Sequence, residues 1–480
     1  MPAASSGNAP SRMNRPTGAI LHDPPPLGEN TPIPSFTRRG FLASPLAPLA
    51  FAQQPGERPP ARPAGVEILN PRERVPLSWI IDDSTCLVNL NRFAIPQFAS
   101  AFPGGGSYQH DWRSMPHEIP DSFVRRFAEW SQREGVKGKY SIVPFPALVG
   151  RVDRELPGWT PKELAGSLAL VHQEITPLWD IHPEMITHTR ILDLKTGYAV
   201  EQRGREWMEN WTWCKGRSVD EIAAYIAYAL QILKNAGFTC EGFTTPGGFG
   251  EGALPELSQA AFQAVRHVYR TELPHYFRNL FDRGTESVAP RLENVSGLGT
   301  DDPRAVVSIY ACTGDWTGNW DCSTQPEPDR FITPDLARGR MVEVIERGEP
   351  AIALCHWTGI YYNGRELGFQ AMQEMVRRLH ARFKNVRWMT LSEIARYWAA
   401  KELTAVEAAP GLARFRAPYA CPDFTVRWRM GAGGRPQAAQ PLREVSSPLS
   451  MEPGCWRRDG EDVIVCFPLA KGLNELRRGA

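Results

Sequence analysis

Two adjacent carboxylates, Asp82 and Asp83, directly follow the apolar run Leu77-Ser78-Trp79-Ile80-Ile81. Neighbouring carboxylates can divide one task, one holding a divalent metal while the other takes a proton from water. An Asp-Asp pair is common in turns, so its place at the end of a strand-like run is what makes it a candidate. Other polar residues fall at comparable places. His188 follows Glu184 to Thr187, Pro246-Gly247 follow Thr239 to Thr244, and His356 closes the apolar run Pro350 to Cys355. Asp315 follows Ala305 to Cys312. In a parallel α/β architecture, strand ends far apart in sequence converge on one cleft. Each histidine alone reads equally well as a hydrogen-bonded structural residue, and His182 reads as structural. Asp315 and Asp321 offer a second acidic pair, which would suit glycoside cleavage.

The elements that would position these groups alternate. Short apolar runs at 77–81, 139–143, 239–244, 305–312, 350–355 and 386–389 read as strands. Between them lie helical patterns: Ser122 to Arg133, with Phe123, Phe127 and Trp130 on one face, and a stretch opening at Thr160-Pro161. Further helices open at the capping box Ser218-Val219-Asp220-Glu221 and run over Thr333–Arg347, Glu366–Arg382 and Ser392–Lys401. Strand and helix alternating over roughly 320 residues argue for a parallel sheet, closed or distorted into a barrel. After about Pro410 the pattern turns to short alternating runs such as Phe424 to Trp428 and Asp462 to Phe467, a small β domain.

Composition narrows the class. The chain has 480 residues, 42% hydrophobic and 22% charged, which suits a globular protein with a large core. A formal net charge of +1 gives no global field to attract nucleic acid or an anionic membrane. The nine cysteines form no zinc-ribbon pattern; Cys455 with Cys466 and Cys312 with Cys322 flank turns and read as disulfides or as free thiols. Residues 1–52 read as a leader, with a Pro-, Gly- and Ser-rich start and then Thr37-Arg38-Arg39-Gly40-Phe41-Leu42. That hexapeptide resembles a twin-arginine export motif, and Ala50-Phe51-Ala52 has the form of a cleavage site. The expectation is a periplasmic or secreted protein, with no run long enough to span a bilayer. A proline-rich linker occupies 53–74, the α/β unit 75–402 and the β domain 410–480.

With these residues in place, the chain resembles the polysaccharide deacetylases, carbohydrate esterase family four. Ile80-Ile81-Asp82-Asp83-Ser84 is similar to that family's first motif, and His182 to Thr189 to the first half of its second. Thr244-Thr245-Pro246-Gly247-Gly248 stands where an Arg-x-Pro-aromatic-Gly motif belongs, with Thr244 at the arginine, and Leu354-Cys355-His356 is similar to the last motif. The resemblance implies a distorted (β/α) barrel and a divalent metal, zinc or similar, on Asp83 and His188. The motif's second histidine is replaced by Leu192, so Asp193 is the expected third ligand. It further implies Asp82 as base, His356 as acid and the Gly247 N–H as oxyanion donor. Asp315, Trp316, Trp320 and Trp357 would line the saccharide. The implied activity is removal of N- or O-linked acetyl groups from an extracellular saccharide. A glycoside hydrolase or lyase on a related barrel, and a metal-free saccharide-binding pseudoenzyme, are the alternatives.

Overall fold

The computed structural model describes residues 56–479 other than 106, 107 and 432; the twin-arginine motif and cleavage site lie outside the described residues. Strand β1 (Val66–Ile68) leads into β2 (Val75–Asp82), which is buried along its whole length. Helices α1 (Leu90–Ala101) and α2 (Asp121–Glu134) precede β3 (Gly138–Ile142), and α3 (Pro161–Leu170) precedes β4 (Trp179–Pro183). A long loop reaches α4 (Val219–Asn235), then β5 (Gly242–Thr244), α5 (Leu254–Tyr269) and β6 (His275–Leu280). After β7 (Arg291–Ser296) and β8 (Arg304–Ala311) come α6 (Pro328–Phe331) and α7 (Arg340–Glu346). Then follow β9 (Ala351–His356), α8 (Trp357–Tyr361), α9 (Leu367–Arg382), β10 (Val386–Trp388) and α10 (Leu391–Leu403).

Capping explains several helix starts. Thr160, Ser218 and Thr390 each accept from the backbone of a glutamate three residues on, whose side chain returns to the cap, so two orphan donors are satisfied at each end. On α2 the expected stripe of Phe123, Phe127 and Trp130 is buried. The helix expected over 333–347 forms only from Arg340, as α7, while α6 ends before that range; Gly339, just ahead of α7, has φ +120, and a Cβ there would sit 2.4 Å from the Phe331 carbonyl oxygen.

The fold is mixed α/β. One parallel sheet runs β10-β2-β3-β4, with β9 also paired to β2; another runs β5-β6-β8, with β7 antiparallel at its edge. A continuous barrel ladder, expected from the sequence, is not what the hydrogen bonds show. The sheets touch at two seams: one parallel bridge between Glu184 and Thr244, and one bond from Cys312 N–H to Ile352 O of 2.7 Å. β5 has only three residues and Thr313, just past β8, bonds Leu354 N–H through its side chain, so neither seam carries a regular ladder. Side chains still meet between the sheets. Ile80, Phe277, Val307, Ile309, Ile352 and Leu354 belong to one core cluster, while Leu77, Trp79 and Ile81 of the same β2 face the helices.

The C-terminal β region holds β11 (Ala405–Ala409), β12 (Leu412–Ala417), β13 (Cys421–Trp428), β14 (Arg435–Gln437), β15 (Arg443–Glu444), β16 (Cys455–Asp459), β17 (Asp462–Leu469) and β18 (Gly472–Gly479). Its strands form two sheets, and β1, from within the proline-rich segment, pairs antiparallel with β13. Phe415, Phe424 and Trp428 share a core cluster with Ile80 and Leu354, so the two regions pack as one. No helix of the described residues is long and apolar enough to cross a membrane.

All nine cysteines are free thiols, eight of them buried. Cys455 and Cys466 are register partners on β16 and β17 and are not bonded; Cys312 lies against Met341, and Cys322 donates to the Thr358 carbonyl. Burial pushes the Cys86, Cys240 and Cys312 thiols up to about 12. Alkylation of the native protein at neutral pH is therefore expected to spare these three, with labelling appearing only in denaturant. Peptide mapping by mass spectrometry checks this, and native-state labelling would contradict the packing.

Candidate metal and acid–base site

Register places the chemistry first. Asp82, the last residue of β2, is the Cα partner of His356, the last residue of β9. Two sequence-distant groups thus stand side by side at one sheet end. Asp82 is 4% exposed and Asp83 1% exposed, so little solvent reaches either carboxylate directly.

Asp83, Glu184 and His188 converge. Each offers an atom within 4.8 Å of the others. Asp83 Oδ1 lies 2.7 Å and Glu184 Oε1 3.4 Å from His188 Nε2, and Asp83 N–H donates to Glu184 Oε2 at 2.8 Å. Despite the short distance, Asp83 Oδ1 has no hydrogen bond of acceptable geometry, although it is buried. An orphaned carboxylate oxygen facing an imidazole and a second carboxylate is the donor set that zinc and similar divalent ions take, so these residues fit a metal. Without a cation the carboxylates hold a proton on the ring: burial works against the charged His188, but Asp83 and Glu184 raise it well above its ordinary value. Burial likewise opposes a charged Glu184, and the contacts from His188 outweigh it and hold its carboxyl low.

Asp193, the expected third ligand, is elsewhere. It is exposed and its carboxylate accepts from Lys195 N–H at 2.9 Å, closing a turn in the hairpin between Leu192 and Ala199. Leu192 is itself core, its N–H bonded to the Tyr225 hydroxyl. The loop leaves β4 too early for a second ligand eight or nine residues on; Glu184, four before His188, takes the place.

Backbone conformation aims these groups. Asp83, Met185 and His188 all have φ between +51 and +60, left-handed values costly for non-glycine residues. Glu209 holds the loop in that shape. Its carboxylate accepts from the N–H groups of Ile186, Thr187 and His188, the last at 2.6 Å, and from the Tyr225 hydroxyl at 2.6 Å. Nothing in the sequence singles out Glu209, because it is 21 residues from the nearest of its partners that reaches the site.

Asp82 is paired with a fully buried lysine. Lys139 on β3 bonds Asp82 Oδ1, the Ile81 carbonyl at 3.1 Å and Ser141 Oγ at 2.7 Å. The sequence left Asp82 without a cation, since Thr244 stands at the arginine position. Lys139 supplies one from another strand. Burial and then the Glu184 carboxylate push the Asp82 carboxyl up, and Lys139 and His356 pull it down.

His356 Nδ1 lies 2.8 Å from Asp315 Oδ2. The other Asp315 oxygen accepts from the Thr317 N–H and hydroxyl at 2.9 and 2.7 Å. Asp315, expected to face substrate, is thus fully engaged in holding an imidazole. Burial works against the charged ring, but Asp83 and Asp315 raise His356 to about 10. One Asp321 oxygen accepts from the Ser323 N–H and hydroxyl, and His110 Nε2 lies 2.9 Å from the other.

Two of the three tryptophans expected on the substrate are core. Trp357 is 0% exposed and packs between Phe123, Phe127 and Tyr140, with ring centroids 5.0 to 5.2 Å away. Trp316 is buried against Phe331 at 4.9 Å. Trp320 does border the site. It joins Tyr108 and Phe98, and the Phe98 ring lies 6.4 Å from His188, beside Trp211. Gly247 sits nearby at φ +46, where a Cβ would come 2.8 Å from Asn210 O; the Gly248 N–H is spent on that oxygen at 2.6 Å. Asn210 Nδ2 in turn lies 3.4 Å from His188 Nδ1.

No protein-family model matches the chain, and no curated protein matches it. Among solved structures it has likenesses to a mutant of a CE4 family pseudoenzyme (14% identity over 70% of this chain and 72% of that one, TM-score 0.31). Others are to the Puue allantoinase (12%, 69% and 91%, TM-score 0.35) and to Thermotoga maritima α-fucosidase (11%, 85% and 97%, TM-score 0.27). At scores this low the likenesses carry no argument about fold, reaction or substrate.

Proposed function

We propose that the chain is a metal-dependent hydrolase that removes acetyl groups, N- or O-linked, from a saccharide outside the cytoplasm. The observation that carries this reading is the juxtaposition of the Asp83–Glu184–His188 donor set with a lysine-held carboxylate and an aspartate-held imidazole at the ends of parallel strands. We also read β2, β3, β4, β5, β6, β8 and β9 as a distorted barrel; the shared inner cluster and the contacts at both seams support it. The motif order in the sequence supports the deacetylase assignment, and the leader supports export by the twin-arginine route.

Asp83, Glu184 and His188 would hold a divalent ion, zinc by donor type. When bound, it supplies Lewis acidity toward the acyl oxygen and the attacking water. The protein's own groups do the rest. Asp82 takes the proton of that water, and the Lys139 ammonium fixes which of its oxygens is free. Asp315 fixes His356 through Nδ1 and keeps the ring protonated, so its other nitrogen delivers a proton to the departing amine or alcohol. Trp320, Tyr108 and Trp211 give flat apolar faces on which a sugar ring can lie.

The test is acetate release. Zinc-loaded protein is incubated with oligosaccharides carrying N- or O-acetyl groups, with and without a chelator. Chelator-sensitive acetate release is expected. New reducing ends without acetate would replace this reading with glycoside cleavage, and sugar binding by metal-free protein without turnover would replace it with a binding protein.

A further inference from the structure

A second group of donors lies deeper between the sheets, apart from the acid–base site. His182 on β4 and His275 on β6 are both 0% exposed, and their Nε2 atoms face each other at 2.9 Å. Asp180, also on β4, offers a carboxylate oxygen within 4.8 Å of a nitrogen of each ring. These strands belong to different sheets, on either side of the seam that one bridge closes. Gly242 of β5 stands between them, and a Cβ there would lie 2.8 Å from His275 Nε2, so the space the rings occupy exists because that residue is glycine.

As a pair of imidazoles alone, this arrangement is poorly satisfied. One bond between the Nε2 atoms uses one proton, and both Nδ1 atoms are buried without a partner. A metal would change the Nε2 pair, turning two lone pairs toward one ion in place of one shared proton, while the Nδ1 atoms keep the same surroundings. Imidazole binds metal in its neutral form, and the facing Nε2 atoms are placed to share one ion. Asp180 is anchored by Ser392 N–H at 2.6 Å on one oxygen, at the start of α10.

We propose that Asp180, His182 and His275 hold a second divalent ion of the zinc type, which ties β4 to β6 across the seam between the two parallel sheets. Two imidazoles and one carboxylate form a donor set typical of zinc and its neighbours. His182 lies two residues before Glu184 on the same strand face, about 7 Å away along the strand, so the two ions would be separate. With both imidazoles fully buried and Asp180 half-buried beside them, the role is structural.

Ion counting by mass spectrometry on zinc-loaded, dialysed protein tests this independently of any activity. Two ions per chain are expected in the wild type, one in His188→Ala, one in His275→Gln and in Asp180→Asn, and none in the His188→Ala, His275→Gln double variant. An unchanged count in both His275→Gln and Asp180→Asn overturns the second site. An unchanged count in His188→Ala overturns instead the site of the proposed reaction. Should the buried variants not fold, X-ray absorption on zinc-loaded His188→Ala decides: two imidazoles on the ion are expected, and an ion with none, or no ion, overturns the proposal.

Discussion

His188→Ala is expected to lose the ion at Asp83 and Glu184 and to lower acetate release by at least the roughly 10²–10⁴-fold that a single positioned acid or base is worth. The reason is geometric. His188 Nε2 is the atom toward which both Asp83 and Glu184 point, at 2.7 and 3.4 Å. Taking it away leaves two buried carboxylates facing each other, a poor site for retaining a cation at stoichiometric concentration and a poor platform for the reaction. Glu184→Gln should behave in the same direction, because it removes the charge and leaves one amide oxygen to serve both the ion and Asp83 N–H. Asp193→Ala, by contrast, should leave ion content and acetate release unchanged, since its carboxylate closes an exposed turn. Metal analysis and acetate assays on the three variants check the set. Loss of the ion in Asp193→Ala with retention in Glu184→Gln would reverse the assignment.

Lys139→Met is the second large effect, and it falls on stability. Lys139 is 0% exposed and its ammonium faces Asp82, itself 4% exposed. Removing one partner of a buried pair strands the other charge at a cost of about 3–5 kcal/mol. Glu184 lies close enough to push the Asp82 carboxyl up, which adds to the strain on an unpaired Asp82. Denaturant unfolding should show a lower midpoint for Lys139→Met with the slope retained. Adding Asp82→Leu should recover most of the loss, because two apolar residues replace the pair without leaving a charge. A Lys139→Met protein that unfolds at the wild-type midpoint would show that the pair contributes nothing.

How much of this was legible follows from where each constraint originates. Strand-end positions depend on local patterning, so the places of Asp82, Asp83 and His356 are legible, while His188 lies in a loop five residues past β4 and not at the strand end expected; the register of β2 against β9 brings Asp82 beside His356. Side-chain partners depend on which strands become neighbours. Lys139 looked like one polar residue in a strand until β3 paired with β2 and its ammonium met Asp82. Its presence in the run Lys139-Tyr140-Ser141-Ile142-Val143 was a usable signal, since a lysine inside a buried strand needs a partner. Glu184 was visible as the residue four before His188 but was read as strand. Glu209 carried no signal, since it acts through backbone groups of a loop that only the fold places beside it.

The tryptophans show the same division from the other side. Type alone made Trp316, Trp320 and Trp357 look alike, and only packing separates Trp320 at the site from Trp357 inside the aromatic core. By itself the sequence determined the alternation of elements, the caps at Thr160 and Ser218, and the acidic pair at the end of β2, because each rests on interactions within a few residues along the chain. The tertiary structure alone decided the third donor, the cation on Asp82, the aspartate on His356 and the seams between the sheets. Each of these is a contact between segments tens to hundreds of residues apart, and burial fixes its partner by leaving no solvent to take that place.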